Sequence, residues 1–381
     1  MEEKVAIVGY SQTGYSLDSD ASREILTYEA AVGALSCAGI SRDEIDTVVT
    51  ANNDYMDGRT ISNMRLVEPS GAWLKDESKV EMDGAFALLY AVMRILSGDH
   101  EVALVIGVSQ PSVFPRYVPG IMMLDPTFDR ERGLLNEVSA AALQARSYME
   151  TYGISEEEIA RVAVKNLRNA ALNPLAVRSM PAVTVDDILS SRPLYSPINE
   201  LTSSALADGA CAVVVASAEK AKKITDKPVW IEGVGFSHDS YLTERSLSKL
   251  SSLEEAAKRA YSMAGVTKPP DDIDLAEVHE NFAHEELMAY EALGLCEEGK
   301  GAELLTSGRT GIDGDLPVNP SGGALSVNVP CAAGLARVIE AVMQIRCEAG
   351  SHQVKGIKRA LAHGQTGPCA QENVVFVLGG E

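Results

Sequence analysis

The chain is poor in basic residues: 33 Lys and Arg stand against 54 Asp and Glu in 381 residues, a formal charge of −21. A surface of that sign repels phosphate backbones, so non-specific nucleic-acid binding is excluded. A polyanionic ligand would need a local cluster of donors. No run of about 18 apolar residues occurs, so no membrane-spanning helix is expected. The six cysteines (Cys37, Cys211, Cys296, Cys331, Cys347, Cys369) form no Cys-x-x-Cys and no Cys/His pair at zinc spacing. Reduced thiols fit that pattern, and no metal site is expected. The acidic start, residues 1–9, leads straight into a strand and lacks the character of a signal peptide. These absences point to a cytoplasmic protein.

What is present is apolar content and length. Hydrophobic residues make up 46% of the chain, enough for one wide domain or two fused ones. The rest is organised around Lys79-Val80-Glu81-Met82-Asp83-Gly84 and the apolar stretch behind it. This reads as a short extended segment that turns sharply into a helix. Gly84, Ala87, Ala91, Ile95 and Gly98 follow Glu81 at steps of three or four, one face of a helix. The run 102–107 then reads as a buried strand.

In chain order, 5–10 reads as a strand and 22–38 as a helix opened by Ser22 and closed near Gly39. A short buried strand at 46–50 precedes an Asn/Asp/Gly-rich loop at 51–63. From 111 to about 200 prolines and methionines become frequent, which suggests an insertion with short helices. Within it, Ser155 and Glu158 form a capping box. Residues 208–217 return to a buried strand, and 220–227 read as a polar connection. A second half opens with a strand at 229–236. It continues with a helix at 253–264, a strand near 273–278 and last strands near 359–362 and 373–378. Strands alternating with helices imply a layered α/β fold. The expected halves are 1–228, with the insertion, and 229–381. No sequence repeat proves a duplication.

Several motifs, in order, resemble the thiolase superfamily, and its sterol-carrier-protein-type members in particular. Helix 152–174 resembles a segment of their loop domain, and Asp208-Gly209-Ala210 resembles their DGA strand. Val278-His279-Glu280-Asn281-Phe282 resembles the HDxF motif. Pro317-Val318-Asn319-Pro320-Ser321-Gly322-Gly323 resembles NPSGG, the most specific match. Ala362-His363-Gly364-Gln365-Thr366-Gly367 resembles the glycine-rich last loop. The resemblance implies a duplicated five-layer α-β-α-β-α core with an inserted loop domain, a dimer, and a coenzyme A thioester as substrate with no tightly bound cofactor.

Laid on without a gap, the family's nucleophilic cysteine falls on Glu81; a slip of up to three residues reaches Asp83 or Gly84 but supplies no thiol. The family's second catalytic histidine falls on Asn328 or Val329, according to register. The candidate catalytic residues are therefore Glu81, His279 and Asn328. A carboxylate cannot form a persistent acyl-thioester, but it can act as a general base or simply cap the helix. His279 is placed to donate a proton or a hydrogen bond to a thioester oxygen. Asn328 can donate but cannot accept a proton. Gly323, His363 and Gly364 are expected to line the site with backbone N–H groups. Cys331 and Cys369 lie near matched motifs as displaced nucleophiles or as small buried hydrophobes. Lys165, Arg168 and Arg178 are the candidates for coenzyme A phosphates.

Three functions stay open. One is retro-aldol cleavage of a 3-hydroxyacyl-CoA, as in cysteine-less thiolase-like aldolases that work with a small zinc-ribbon/OB-fold subunit. Another is a thiolase-type acyltransferase acting on a 3-oxoacyl-CoA. The third is a catalytically silent scaffold.

Overall fold

The computed structural model describes residues 4–113, 124–125, 127–134 and 136–380. Residues 1–3 of the acidic start and the Pro- and Met-rich stretch 114–123 lie outside the described residues. Strand β1 (Val5–Gln12) leads to helix α1 (Arg23–Ala38). Ser22 caps it by accepting from the Ile25 N–H, and Gly39 closes it in the left-handed region. Strands β2 (Thr47–Ala51) and β3 (Asp76–Val80) precede α2 (Gly84–Leu96), and β4 (Val102–Ser109) follows. The described part of the insertion holds α3 (Glu137–Tyr152), α4 (Glu156–Asn169) and a hairpin of β5 (Pro193–Tyr195) and β6 (Ile198–Asn199). The capping box of α4 forms as expected, Glu158 accepting from the Ser155 N–H at 2.7 Å.

After β7 (Gly209–Ser217), the expected polar connection is instead a seven-residue helix, Ala218–Ile224. Its Ala221 and Ile224 pack on the outer face of the sheet, which gives the segment a reason to coil. Next come β8 (Val229–His238), α5 (Ser251–Ala264), β9 (Leu275–Glu277), α6 (Ala283–Ala292), α7 (Ala333–Arg346), β10 (Arg359–Thr366) and β11 (Glu372–Gly379).

The main strands run in the order β3-β2-β4-β7-β1-β8-β11-β10-β9. On one side β2 is parallel to β4, and β4–β7 and β7–β1 are antiparallel. On the other, β9 is parallel to β10, and β10–β11 and β11–β8 are antiparallel. The succession β2-β4-β7-β1 is thus repeated as β9-β10-β11-β8, with α1 matched by α5 and α2 by α7. Among the described residues the two sets of strands pair through a short β1–β8 ladder at Ala6–Trp230 and Ile7–Val229.

Helix α1 covers one outer face and α5 the other, while α2 and α7 lie between the sheets. Three apolar clusters correspond to these interlayers: α1 against the first sheet, α2 and α7 between the sheets, and α5 with the insertion against the second. This is the five-layer α-β-α-β-α core. Among the described residues no helix is long and apolar enough to cross a membrane.

The middle layer fixes the site. Gly84, Ala87, Ala91 and Ile95 of α2 are buried, whereas Gly98 lies past the helix end and is exposed. The cap of α2 is Asp83, not Glu81: Asp83 Oδ1 accepts from the Ala85 N–H at 2.8 Å. Asp83 Oδ2 accepts from the Gly334 N–H at 2.9 Å, in the first turn of α7. One buried carboxylate therefore caps both central helices. Room for it exists because Gly334 and Gly364 lack side chains. A Cβ on Gly334 would collide with Asp83 and stand 2.8 Å from the Gly364 Cα.

Gly334→Ala is expected to destabilise the protein by roughly 1–3 kcal/mol, the cost of overpacking a filled interior. Gly14→Ala, where an added Cβ meets nothing within 4 Å, should change stability little. Denaturant unfolding of the two variants beside the wild type checks this.

Candidate active site

The loop after β9 carries His279, and the NPSGG-like stretch holds that loop in place. Asn319 Oδ1 accepts from the Val278 N–H at 2.8 Å, while its Nδ2 donates to Glu280 at 3.0 Å and Glu286 at 2.8 Å. Asn166 of α4 donates to the same two carboxylates, at 3.1 and 2.6 Å. Lys165 pairs with Glu286 at 2.9 Å. Burial and the nearby Glu286 push the Glu280 carboxyl above its usual range. One residue before Val278, Glu277 pairs with Arg337 at 2.7 Å and accepts from the Ser321 hydroxyl at 2.7 Å. Buried charges need such partners. Gly323 belongs to this anchorage: its N–H donates to the Ser321 hydroxyl at 3.2 Å, and it packs against Glu280. It is therefore not free to hold a ligand.

His279 is 6% exposed. Its Nδ1 accepts from the Gln365 N–H at 3.4 Å, which assigns the ring hydrogen to Nε2; that nitrogen is buried and, among the described residues, has no partner within hydrogen-bond geometry, the Asn281 side chain being the polar group against the ring. Burial, with His363 and Arg337 nearby, pushes its pKa down to about 3, so the ring is neutral at physiological pH. The Gln365 side chain donates to the His279 carbonyl at 2.9 Å and to Glu285 Oε2 at 2.8 Å. The same Glu285 oxygen accepts from the Asn281 N–H at 2.7 Å. Burial raises the Glu285 carboxyl to about 7.

Asn328 meets His279 through Asn281. The Asn328 amide donates to Asn281 Oδ1 and to the Ser204 hydroxyl, both at 2.9 Å, and the Asn281 side chain lies against the His279 ring. Both amide hydrogens of Asn328 are thereby spent, so it braces the loop rather than presenting a donor.

Glu81 sits two residues before the helix cap, with its side chain 43% exposed. One oxygen accepts from the Asp54 N–H at 2.6 Å, and the other pairs with Lys79 at 2.6 Å. Lys79 also bridges Asp54. Cys331 and Tyr55 both lie within electrostatic reach of Glu81. The loop 51–63 therefore borders the site, and Tyr55 is a neighbour that its composition did not single out.

The remaining candidates are placed elsewhere. Residues 362–366 are not a loop but lie within β10, because β11 pairs with them residue by residue. Side chains alternate along a strand. Ala362 faces the middle layer, whereas Leu361 faces the outer one, and His363 shares the Leu361 face. There it bonds Asn373 at 2.8 Å, away from α2, and burial lowers its pKa to about 4. Gly364 packs against Ala85 and Asp83 and serves close approach. His284 is buried and bonds Gln144 at 3.1 Å. Lys165 donates to the Val318 carbonyl at 2.6 Å, Arg168 to that of Val183 at 2.7 Å and Arg178 to that of Ser203 at 2.6 Å, so all three are engaged in holding the insertion together and against its neighbours.

No thiol is poised for attack. Burial raises Cys369 to about 12. Burial and the carboxylates of Asp57, Asp83 and Glu81 hold Cys331 well above its usual value. Reactive cysteines need the opposite surroundings.

Against this geometry, two family models match the chain: "Thiolase, N-terminal domain" over residues 5–178 and "Thiolase C-terminal domain-like" over 233–380. The chain belongs to the thiolase family. It is 33% identical to an acetyl-CoA acetyltransferase of Methanothermobacter thermautotrophicus, across 97% of this chain and 98% of that protein. It is 38% identical to sterol carrier protein 2 of Oryctolagus cuniculus, over 57% of this chain and 41% of that protein. Among solved structures it resembles the Ltp2-ChsH2(DUF35) aldolase, with a TM-score of 0.85 and 26% identity, covering 99% of this chain and 97% of the other.

Two outcomes follow. In the native protein a thiol reagent should modify the exposed Cys37 and Cys347 quickly, the half-buried Cys331 with its raised pKa slowly, and the buried Cys211 and Cys369 only on unfolding. Glu285 binds a proton more tightly folded than unfolded, so its contribution to stability is full below its unfolded pKa and lost as pH rises through about 7. Thermal stability should therefore carry a component that falls between about pH 4.5 and 7, and Glu285→Gln should remove it.

Proposed function

We propose that this protein acts on an acyl-CoA thioester and breaks or makes the C–C bond beside it without an acyl-enzyme, as a retro-aldolase of 3-hydroxyacyl-CoA. One observation carries the reading: a neutral, buried imidazole has an N–H that is unpartnered among the described residues, while burial holds the thiol of Cys331 protonated. Glu81, which pairs with Lys79 and accepts from the Asp54 N–H, takes the proton of the 3-hydroxyl. The C3–O bond becomes a carbonyl and the C2–C3 bond breaks. Its electron pair passes to the thioester, whose developing oxyanion accepts from His279 Nε2–H. Return of the proton from Glu81 to C2 then releases the shortened acyl-CoA and regenerates the base. Asn328 keeps Asn281 and the His279 loop in register.

The likeness to the Ltp2-ChsH2(DUF35) aldolase supports this reading. So does the pairing in that name of Ltp2 with a second component, which suggests a small zinc-ribbon/OB-fold subunit here. A homodimer is part of the proposal. Strand β3 is an edge strand, and Tyr90 and Met93 of the neighbouring α2 are exposed. An open edge beside apolar side chains is a surface that a second copy would cover. The name of the Methanothermobacter thermautotrophicus relative favours a second reading, acyl transfer.

The test is turnover of a 3-hydroxyacyl-CoA, with and without a co-expressed small subunit, followed by release of carbonyl product. His279→Ala should lower kcat on the order of 10²- to 10³-fold, the usual cost of one oxyanion donor. Glu81→Gln should abolish cleavage. Cleavage of a 3-oxoacyl-CoA instead would favour the acyltransferase, and no turnover of either the scaffold.

A further inference from the structure

A histidine that donates from Nε2 works only if the other nitrogen is held as an acceptor and the ring is aimed. Three contacts do this for His279, and two residues supply the framework. The backbone N–H of Gln365 meets Nδ1. The Gln365 side chain spans from the His279 carbonyl to Glu285. Glu285 in turn accepts from the Asn281 N–H, two residues after the histidine. The loop 279–281 is thus gripped at its carbonyl, its ring and its far amide. Gln365 and Glu285 are 2% and 3% exposed, and they come from β10 and the first turn of α6.

The grip is asymmetric in a useful way. Every bond it makes uses the Nδ1 side or the backbone of His279, and none reaches Nε2. A buried N–H without a partner is unfavourable, so it persists only where the surroundings enforce it. Without the Gln365 N–H at Nδ1, the ring would be free to move its hydrogen to that nitrogen.

We infer that Gln365 and Glu285 are positioning residues, which fix the tautomer of His279 and direct its Nε2–H toward the substrate. The inference rests on the donor role proposed above for His279. It adds that this donor is made by a glutamine–glutamate bracket: Gln365 lies within the motif-like stretch 362–367, and Glu285 lies outside every matched motif.

The test reads the ring directly. The chain has six histidines, so nitrogen-15 spectra of histidine-labelled protein can be assigned with the His279→Ala variant. Wild type should show an unprotonated Nδ1 and a protonated Nε2 at His279, with no change from neutral pH down to about pH 5. Gln365→Leu and Glu285→Leu keep the backbone N–H of residue 365 but release the His279 loop from it, so both should mix the tautomers and lower kcat on the order of 10²-fold, with KM little changed. The conservative Glu285→Gln, whose amide oxygen can accept the same two N–H groups, should restore one tautomer and most of the lost rate. A wild-type ring protonated at Nδ1 overturns the inference, even if the leucine variants fail to fold. So does a Gln365→Leu enzyme with an unchanged tautomer. The expected spectra with no acyl-CoA turnover would support the bracket and count against the proposed function alone.

Discussion

One buried carboxylate holds the middle of this molecule together. Asp83 accepts from Ala85 at the start of α2 and from Gly334 at the start of α7, the two helices sandwiched between the sheets. Both helix N-termini present unpaired N–H groups and partial positive charge, and a single anion satisfies one donor on each. Burial raises the Asp83 carboxyl to about 6, and the N–H groups of Ala85, Gly334 and Gly84 oppose that rise. The ionised form therefore remains the main one at neutral pH. Gly334 and Gly364 permit the approach, because a side chain at either would occupy the space around the carboxylate. Glu81 lies two residues before this joint, and Gly364, next to Gln365 in β10, packs against it.

A second polar network governs the loop that carries the histidine. Asn319, Asn166 and Lys165 gather Glu280 and Glu286 into one buried cluster, while Arg337, Ser321 and Glu277 form another beside it. His279 lies between them. Such networks fix position at the expense of desolvation, and they tolerate no missing partner. This explains why the most specific motif of the chain, Asn319 to Gly323, contributes no reacting group. Its work is to hold the neighbouring loop still.

Much of the fold was legible from local chemistry. Ser22 and Gly39 bound α1, Ser155 and Glu158 open α4, and apolar runs became β4, β7 and β11. The duplication was legible only through the family resemblance, since no repeat of residues marks it. It lies in strand order and direction, which diverged sequences share without sharing residues. At the site, His279 was found through its motif, but its partners were not. Gln365 and Glu285 look like any polar residues until β10 and α6 bring them together. Asp83 was passed over for Glu81, although Asp before Gly at a helix start is itself a capping signal. His363 and Gly364 were read as a loop, because glycine suggested a turn where a strand alternates its faces.

The central claim is that this thiolase-family chain handles a thioester without becoming acylated. Intact-mass analysis of the protein after incubation with a 3-oxoacyl-CoA, quenched in acid, tests it most directly. The account predicts an unchanged mass, because Cys331 and Cys369 are held protonated and the segment 80–85 has no thiol. A mass increase equal to one acyl group, mapped to Cys331 or Cys369, would contradict it and restore covalent thiolase chemistry.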